Sequence, residues 1–362
     1  MLKAAKLVPL ILLAVAACDR QDAENASDRP SATAPAPPGP ATRAALSRDA
    51  VEAAAFSAEA AVSQEATPAV LRAQILLDRT RFSPGVIDGR LGENTRQAVA
   101  AFEAESDLPV DGQLDAAVFE RLTQLDARPV LSEYAITAQD AAGPFVARIP
   151  DKYEEMAKLK TLAYGSPLEL LAERFHVTPE LLQALNPNAD FARAGTSIMV
   201  PALGNDQLQG EISEIVVDKG ERAVRVLGEG GRLLAFYPAT IGSDVLPTPG
   251  GVMKVRAVAP EPTYTFDPTR LNWEGATKKV TVAAGPNNPV GSVWIDLTKD
   301  TYGIHGTPDP QLVGKRPSHG CVRLTNWDAE ELASRVKPGV LVRFVESSVA
   351  PGKAGGAGSQ AT

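Results

Sequence analysis

The spacing of apolar positions divides the chain into stretches of different character. From Pro68 to about Leu125 apolar residues recur at helical intervals: Leu71 and Ile75 share a face, as do Ala98 and Phe102, and Val118, Leu122 and Leu125. The turns Asp88-Gly89 and Asp111-Gly112 separate these segments and predict a small three-helix unit. Between 158 and 203 a second helical pair is announced by its caps. Ser166-Pro167-Leu168-Glu169 is a capping box with proline at the first helical position, and Leu168, Leu171, Ala172 and Phe175 line one face. Thr178-Pro179-Glu180 opens another helix and Asn186-Pro187 closes it. Apolar runs at 159–163 and 197–200 flank the pair, which predicts a βααβ order.

From about Glu211 the pattern becomes that of strands. Ile215 and Val217 lie in a short apolar run, and the runs 223–227 and 233–237 flank Gly228-Glu229-Gly230-Gly231, a hairpin signal. Further short runs lie at 252–258, 280–284, 293–297 and 340–345, and only 328–336 reads as helix. The expected fold is therefore multidomain: a three-helix domain, a βααβ module, then a mainly-β domain with one helix.

The ends carry different information. Two lysines precede the apolar run Leu7 to Val15, and Val15-Ala16-Ala17-Cys18 follows. This is the layout of a secretory signal, and the run is too short to span a bilayer. A cysteine directly after small residues resembles a bacterial lipoprotein signal. That resemblance implies cleavage before Cys18, lipid on Cys18 as a membrane anchor, and a periplasmic location; Asp19 favours the inner membrane. Residues 18–60, rich in Ala, Pro, Ser and Asp, read as a disordered tether, and the Gly/Ala-rich end reads as a disordered tail. The division expected is 1–17 signal peptide, 18–60 tether, 61–127 helical domain, 155–203 βααβ module, 211–346 catalytic domain and 347–362 tail.

Charge and cysteine usage narrow the chemistry. A net charge of -8 over 362 residues argues against nucleic acid as a partner. There are two cysteines. If Cys18 takes lipid, Cys321 has no internal disulfide partner and becomes a candidate nucleophile. It lies in Ser318-His319-Gly320-Cys321-Val322-Arg323-Leu324, with His305-Gly306-Thr307-Pro308 upstream. A thiol of pKa about 8.5 needs a base or a positive neighbour to react at neutral pH. Two histidines and an arginine supply such neighbours, and Gly320 removes bulk beside the backbone amides that could hold an oxyanion. Zinc on His305, His319 and Cys321 is disfavoured, because a structural site wants four ligands at tighter spacing; no metal or other cofactor is expected.

The His305 and Ser-His-Gly-Cys elements resemble the signature of the YkuD-type L,D-transpeptidases. Thr248-Pro249-Gly250-Gly251 and Pro289-Val290-Gly291 also match. The resemblance implies a β-sandwich-like catalytic fold and peptidoglycan tetrapeptide stems containing meso-diaminopimelate as donors. By position it makes Cys321 the nucleophile, His305 the general base and the Gly306 carbonyl its orienting partner. His319 and the amides of Gly320 and Cys321 would support the oxyanion, with Ser318 in the same loop, and Arg323 would hold the loop or a substrate carboxylate. A thioester would form and release D-alanine, and an amine would resolve it. The alternatives are hydrolysis of the same thioester, as a carboxypeptidase, and a non-catalytic wall-binding scaffold. The segment Val86 to Thr95 with Ala98, Val99 and Phe102, echoed at Val110-Asp111-Gly112, resembles the small peptidoglycan-binding domain. The βααβ pattern, with Leu185-Asn186-Pro187 and Val200-Pro201, resembles a LysM module.

Overall fold

The computed structural model describes residues 46–204, 208–242, 248–268, 278–315 and 320–346. Its first part is helical. Helix α1 (Arg48–Glu52) precedes α2 (Pro68–Arg79), α3 (Glu93–Glu105) and α4 (Ala116–Leu125). Thr67 caps α2 by accepting from the Val70 amide at 3.3 Å, and Asp115 caps α4 by accepting from the Val118 amide at 2.8 Å. Each Asp-Gly turn is tied down by one buried side chain. The Gln74 amide oxygen accepts from the amides of Asp88 and Gly89, and the Glu103 carboxylate from those of Asp111 and Gly112. Burial raises the Glu103 pKa, the two amides only partly opposing it.

The βααβ module follows, with one change from expectation. Strand β2 (Ser197–Pro201) pairs antiparallel with β1 (Leu131–Ala135), not with 159–163. Helices α5 (Ala138–Ala142), α6 (Tyr153–Met156), α7 (Pro167–Arg174) and α8 (Pro179–Leu185) lie between the two strands. The run 159–163 instead docks on the catalytic domain: Leu162 donates to the Ala284 carbonyl and accepts from the Asn287 amide, both at 2.9 Å. An apolar run shows that a segment is buried, not which neighbour covers it.

A second change concerns the expected tether. Its last part, 46–60, is folded: Leu46 and Val51 are buried, and the Glu52 carboxylate accepts from the amides of Val130 and Leu131. Two apolar anchors and one hydrogen-bonded carboxylate are enough to order an alanine-rich segment against a core that already exists. That core is shared. Leu71, Ile75 and Phe102 of the helical domain join Leu171 and Leu182 of the βααβ module, and Phe236 of the catalytic sheet joins them.

The catalytic part is one eight-stranded sheet, ordered β11-β10-β9-β6-β12-β3-β4-β5. Its strands are β3 (Glu214–Asp218), β4 (Ala223–Leu227), β5 (Leu233–Pro238), β6 (Gly251–Pro260), β9 (Val293–Leu297), β10 (Gly303–His305), β11 (Val322–Arg323) and β12 (Leu341–Val345). The long strand β6 pairs with β12 through its first half and with β9 through its second. An irregularity between Val255 and Ala257 bends it there, as bulges do. The sheet curls until its two ends meet: Thr240, just after β5, bridges antiparallel to Arg323 of β11. This removes the open edge that would otherwise invite pairing with another chain. Helix α9 (Asn326–Arg335), capped by Thr325, packs Ala329 and Leu332 into the core of the curl. Strands β7 (Tyr264–Phe266) and β8 (Val280–Val282) form a separate hairpin.

Candidate active site

Strands β10 and β11 place His305 beside Arg323, with Cys321 immediately before β11. They run parallel, with Ile304 opposite Val322 and His305 opposite Arg323. Ile304, Val322 and Leu324 are buried in the core of the curled sheet. Side chains alternate along a strand, so His305, Cys321 and Arg323 fall on the other face. Leu324 donates to the His305 carbonyl at 2.9 Å and fixes the register. His305 is fully buried and Cys321 is 1% exposed.

His305 Nδ1 lies 2.6 Å from the Gly306 carbonyl oxygen. A carbonyl only accepts, so Nδ1 carries the proton and Nε2 keeps the lone pair that a base needs. The ring is held flat against Trp294, with centroids 5.3 Å apart and planes 20° from parallel. Trp294 is itself fixed: its indole N–H donates to Asp296 Oδ1 at 3.3 Å, and Arg256 grips the same carboxylate. Gly303 makes the room, since a β-carbon there would fall 2.4 Å from Trp294 Cζ2.

Cys321 Sγ lies 3.7 Å from the Thr301 carbonyl oxygen. Gly320 has φ +120°, and the Tyr302 ring stands 3.2 Å from where its β-carbon would be. The Thr248 hydroxyl donates to the Gly320 carbonyl at 2.8 Å and accepts from the Gly242 amide. Ser318, His319 and Cys18 lie outside the described residues.

Several neighbours of the site were not anticipated. Trp294 and Tyr302 carry no motif of their own. Asn326 was missed because the expected helix began two residues later. The Asn326 Oδ1 atom accepts from the amides of Ser292 and Thr307, each at 3.1 Å. The segment around α6 belongs to the site's surroundings as well. Tyr153 stacks on Phe266 at 4.5 Å, and Tyr153, Met156 and Leu162 share an apolar cluster with Trp294 and Cys321. His176 packs flat on Trp327, with ring centroids 4.8 Å apart, and meets Asp78 at 3.1 Å.

Comparison with known proteins agrees with this geometry. The YkuD L,D-transpeptidase catalytic domain matches residues 213–344, and a "Putative peptidoglycan binding domain" matches 66–122. The chain is 33% identical over 181 residues to "Putative L,D-transpeptidase YkuD" of Bacillus licheniformis, covering 93% of that protein and 49% of this chain. The chain belongs to the YkuD L,D-transpeptidase family. The Bacillus subtilis protein of the same description is 30% identical over 179 residues, with 93% of it and 49% of this chain covered. "Probable L,D-transpeptidase YbiS" of Escherichia coli is 30% identical over 194 residues, with 61% of it and 51% of this chain covered. The resemblances drawn from the Ser-His-Gly-Cys motif and from the Val86 to Thr95 segment are therefore borne out. Within this L,D-transpeptidase the His305–Gly306 contact and the β10–β11 pairing lie inside the matched catalytic domain.

Proposed function

We propose that this L,D-transpeptidase acts through a Cys321 thioester on tetrapeptide stems of peptidoglycan. The observation that carries the reading is the His305 Nδ1 contact with the Gly306 carbonyl, on a strand paired with the one that follows Cys321. His305 Nε2 takes the thiol proton, and Cys321 Sγ attacks the diaminopimelate carbonyl carbon. The oxyanion is held by the Gly320 and Cys321 amides and by His319, while Arg323 holds the loop or a substrate carboxylate. The C–N bond to D-alanine then breaks, and the departing amine takes the proton from His305. An acceptor amine attacks the thioester, its proton passes to His305, and the thiol is regenerated as the C–S bond breaks. Water as acceptor would give a carboxypeptidase by the same path.

The N-terminal part supports a wall-associated setting. Cys18 would carry the lipid anchor on the periplasmic side of a membrane, and 46–204 would hold the catalytic domain against the polymer. The peptidoglycan-binding domain is the first candidate for wall affinity and the LysM-like module the second. The test is incubation of the reduced soluble chain with purified disaccharide tetrapeptide, read by mass spectrometry. A cross-linked dimer with loss of D-alanine supports transfer. Free tripeptide alone makes the protein a hydrolase, and unchanged substrate removes the reading. Co-sedimentation of the same chain with isolated sacculi tests wall affinity.

A further inference from the structure

The Gly306–Thr307 peptide is gripped at both ends. Its carbonyl accepts from His305 Nδ1 at 2.6 Å, and its N–H donates to Asn326 Oδ1 at 3.1 Å. Rotation of this peptide plane would carry the carbonyl off the histidine. Asn326 thus sets the orientation of His305 from the far side of one peptide unit. The fit is tight: a β-carbon on either Gly291 or Gly306 would fall 2.1 Å from Asn326 Oδ1.

A carboxamide can do this only with its oxygen toward the amides. Turned over, its NH2 would face the N–H groups of Ser292 and Thr307. What fixes its sense is the partner of Nδ2. Asn326 Nδ2 donates to Glu173 Oε1 at 2.7 Å and to the Pro286 carbonyl at 3.2 Å. The shorter bond comes from outside the catalytic domain, because Glu173 lies on α7 of the βααβ module. One turn earlier on that helix, Glu169 Oε1 accepts from Asn287 Nδ2 at 2.8 Å. Two carboxylates of one helix of the βααβ module therefore hold two asparagines of the catalytic domain.

We propose that Glu173 is a positioning residue for the transfer reaction, acting through the Asn326 carboxamide and the Gly306–Thr307 peptide to hold His305 in its catalytic tautomer and orientation. This rests on His305 being the general base. The βααβ module then completes the active site, besides any affinity it has for the wall. Glu173 is faced by the Tyr164 hydroxyl, which donates to the same oxygen at 3.2 Å, and by the carboxylates of Glu169 and Glu330. Burial pushes its pKa up to about 7, the Asn326 bond partly offsetting this. Either protonation state keeps Oε1 as an acceptor, so accepting, rather than charge, is the property that matters.

The test uses the full soluble chain, reduced, as wild type, Glu173→Ala and Glu173→Gln. The glutamine carbonyl oxygen can accept both bonds that Glu173 Oε1 accepts. Folding is checked by thermal melting. The readouts are kcat and KM for D-alanine release from disaccharide tetrapeptide, and the pH profile of Cys321 alkylation by iodoacetamide. Glu173→Ala should lower kcat by about 10- to 100-fold, as a misplaced catalytic group does, with KM little changed. Its alkylation profile should move toward that of an unassisted thiol, near pH 8.5. Glu173→Gln should restore both. A Glu173→Ala protein that melts lower but keeps the wild-type kcat and profile would overturn the proposal, and so would Glu173→Gln as impaired as Glu173→Ala. If wild type releases no D-alanine while the profile still shifts in Ala and returns in Gln, Glu173 positions His305 and the donor assignment fails instead.

Discussion

Thr240 and Arg323 exchange both backbone hydrogen bonds, each at 2.9 Å, and so close the curled sheet two residues from Cys321. The Cys321 segment is thereby braced from the first half of the catalytic domain, while His305 is braced from the second.

Trp294 fills the space over Gly303, which makes that glycine a sensitive point. Gly303→Ala should push the indole away and tilt the His305 ring that lies against it. Overpacking of this kind costs about 1 to 3 kcal/mol. We expect a lower melting temperature, and at temperatures where the protein remains folded a D-alanine release rate at least about tenfold lower. Wild-type turnover in a folded Gly303→Ala protein would show that the Trp294–His305 contact is dispensable.

The two histidines should separate by probe. Removing a base slows every reaction of the thiol, whereas removing an oxyanion donor slows acylation by about 100- to 1,000-fold and spares alkylation, which develops no oxyanion. His305→Ala should therefore depress iodoacetamide reactivity of reduced Cys321 near neutral pH, and His319→Ala should not. The check is the pH–rate profile of alkylation beside acylation rates. The reverse pattern would exchange the two roles and leave the thiol chemistry intact.

Anchoring is tested at Cys18. Cys18→Ser should release the protein from the membrane fraction or leave its signal uncut, as followed by fractionation and intact mass. Unchanged tight membrane association would mean that something other than lipid on Cys18 holds it.

Stability should fall as pH rises across the neutral range. His176, Asp78, Asp328 and Glu331 meet where the helical domain, the βααβ module and α9 join. Burial pushes the Asp328 pKa up to about 7, against an ordinary 3.8, and burial likewise raises that of Glu331. Burial alone would lower the His176 pKa, but Asp78 outweighs it and raises it. In all three the folded state holds protons that the unfolded chain has released, so stability falls with rising pH. For Asp328 the loss runs from about pH 4 to about pH 7; for His176 it begins above the ordinary value of 6.5. Melting temperature should be higher near pH 5 than near pH 8, and Asp328→Asn should flatten the slope. A wild-type melting temperature that rises from pH 5 to 8 would contradict this.

The residues themselves determined the chemistry and much of the local structure. Caps at Thr67, Ser166 and Thr178, and the short apolar runs of β3, β4 and β9, depend on neighbours in sequence. The Ser-His-Gly-Cys stretch with an upstream histidine carried the resemblance to the family, because such a motif is written in neighbouring residues whatever surrounds them in space. Tertiary structure decided which distant groups complete the site. Strands β10 and β11 are three and two residues long, too short to show a period, and form only because β9 and the closing Thr240–Arg323 bridge supply their partners. The same holds for β1 as the partner of β2, for 46–60 as folded chain, and for Asn326 and Glu173, 153 residues apart, as one hydrogen-bonded pair. A sequence displays periodicity and motif directly, but which surfaces bury one another is settled only when the whole chain has packed.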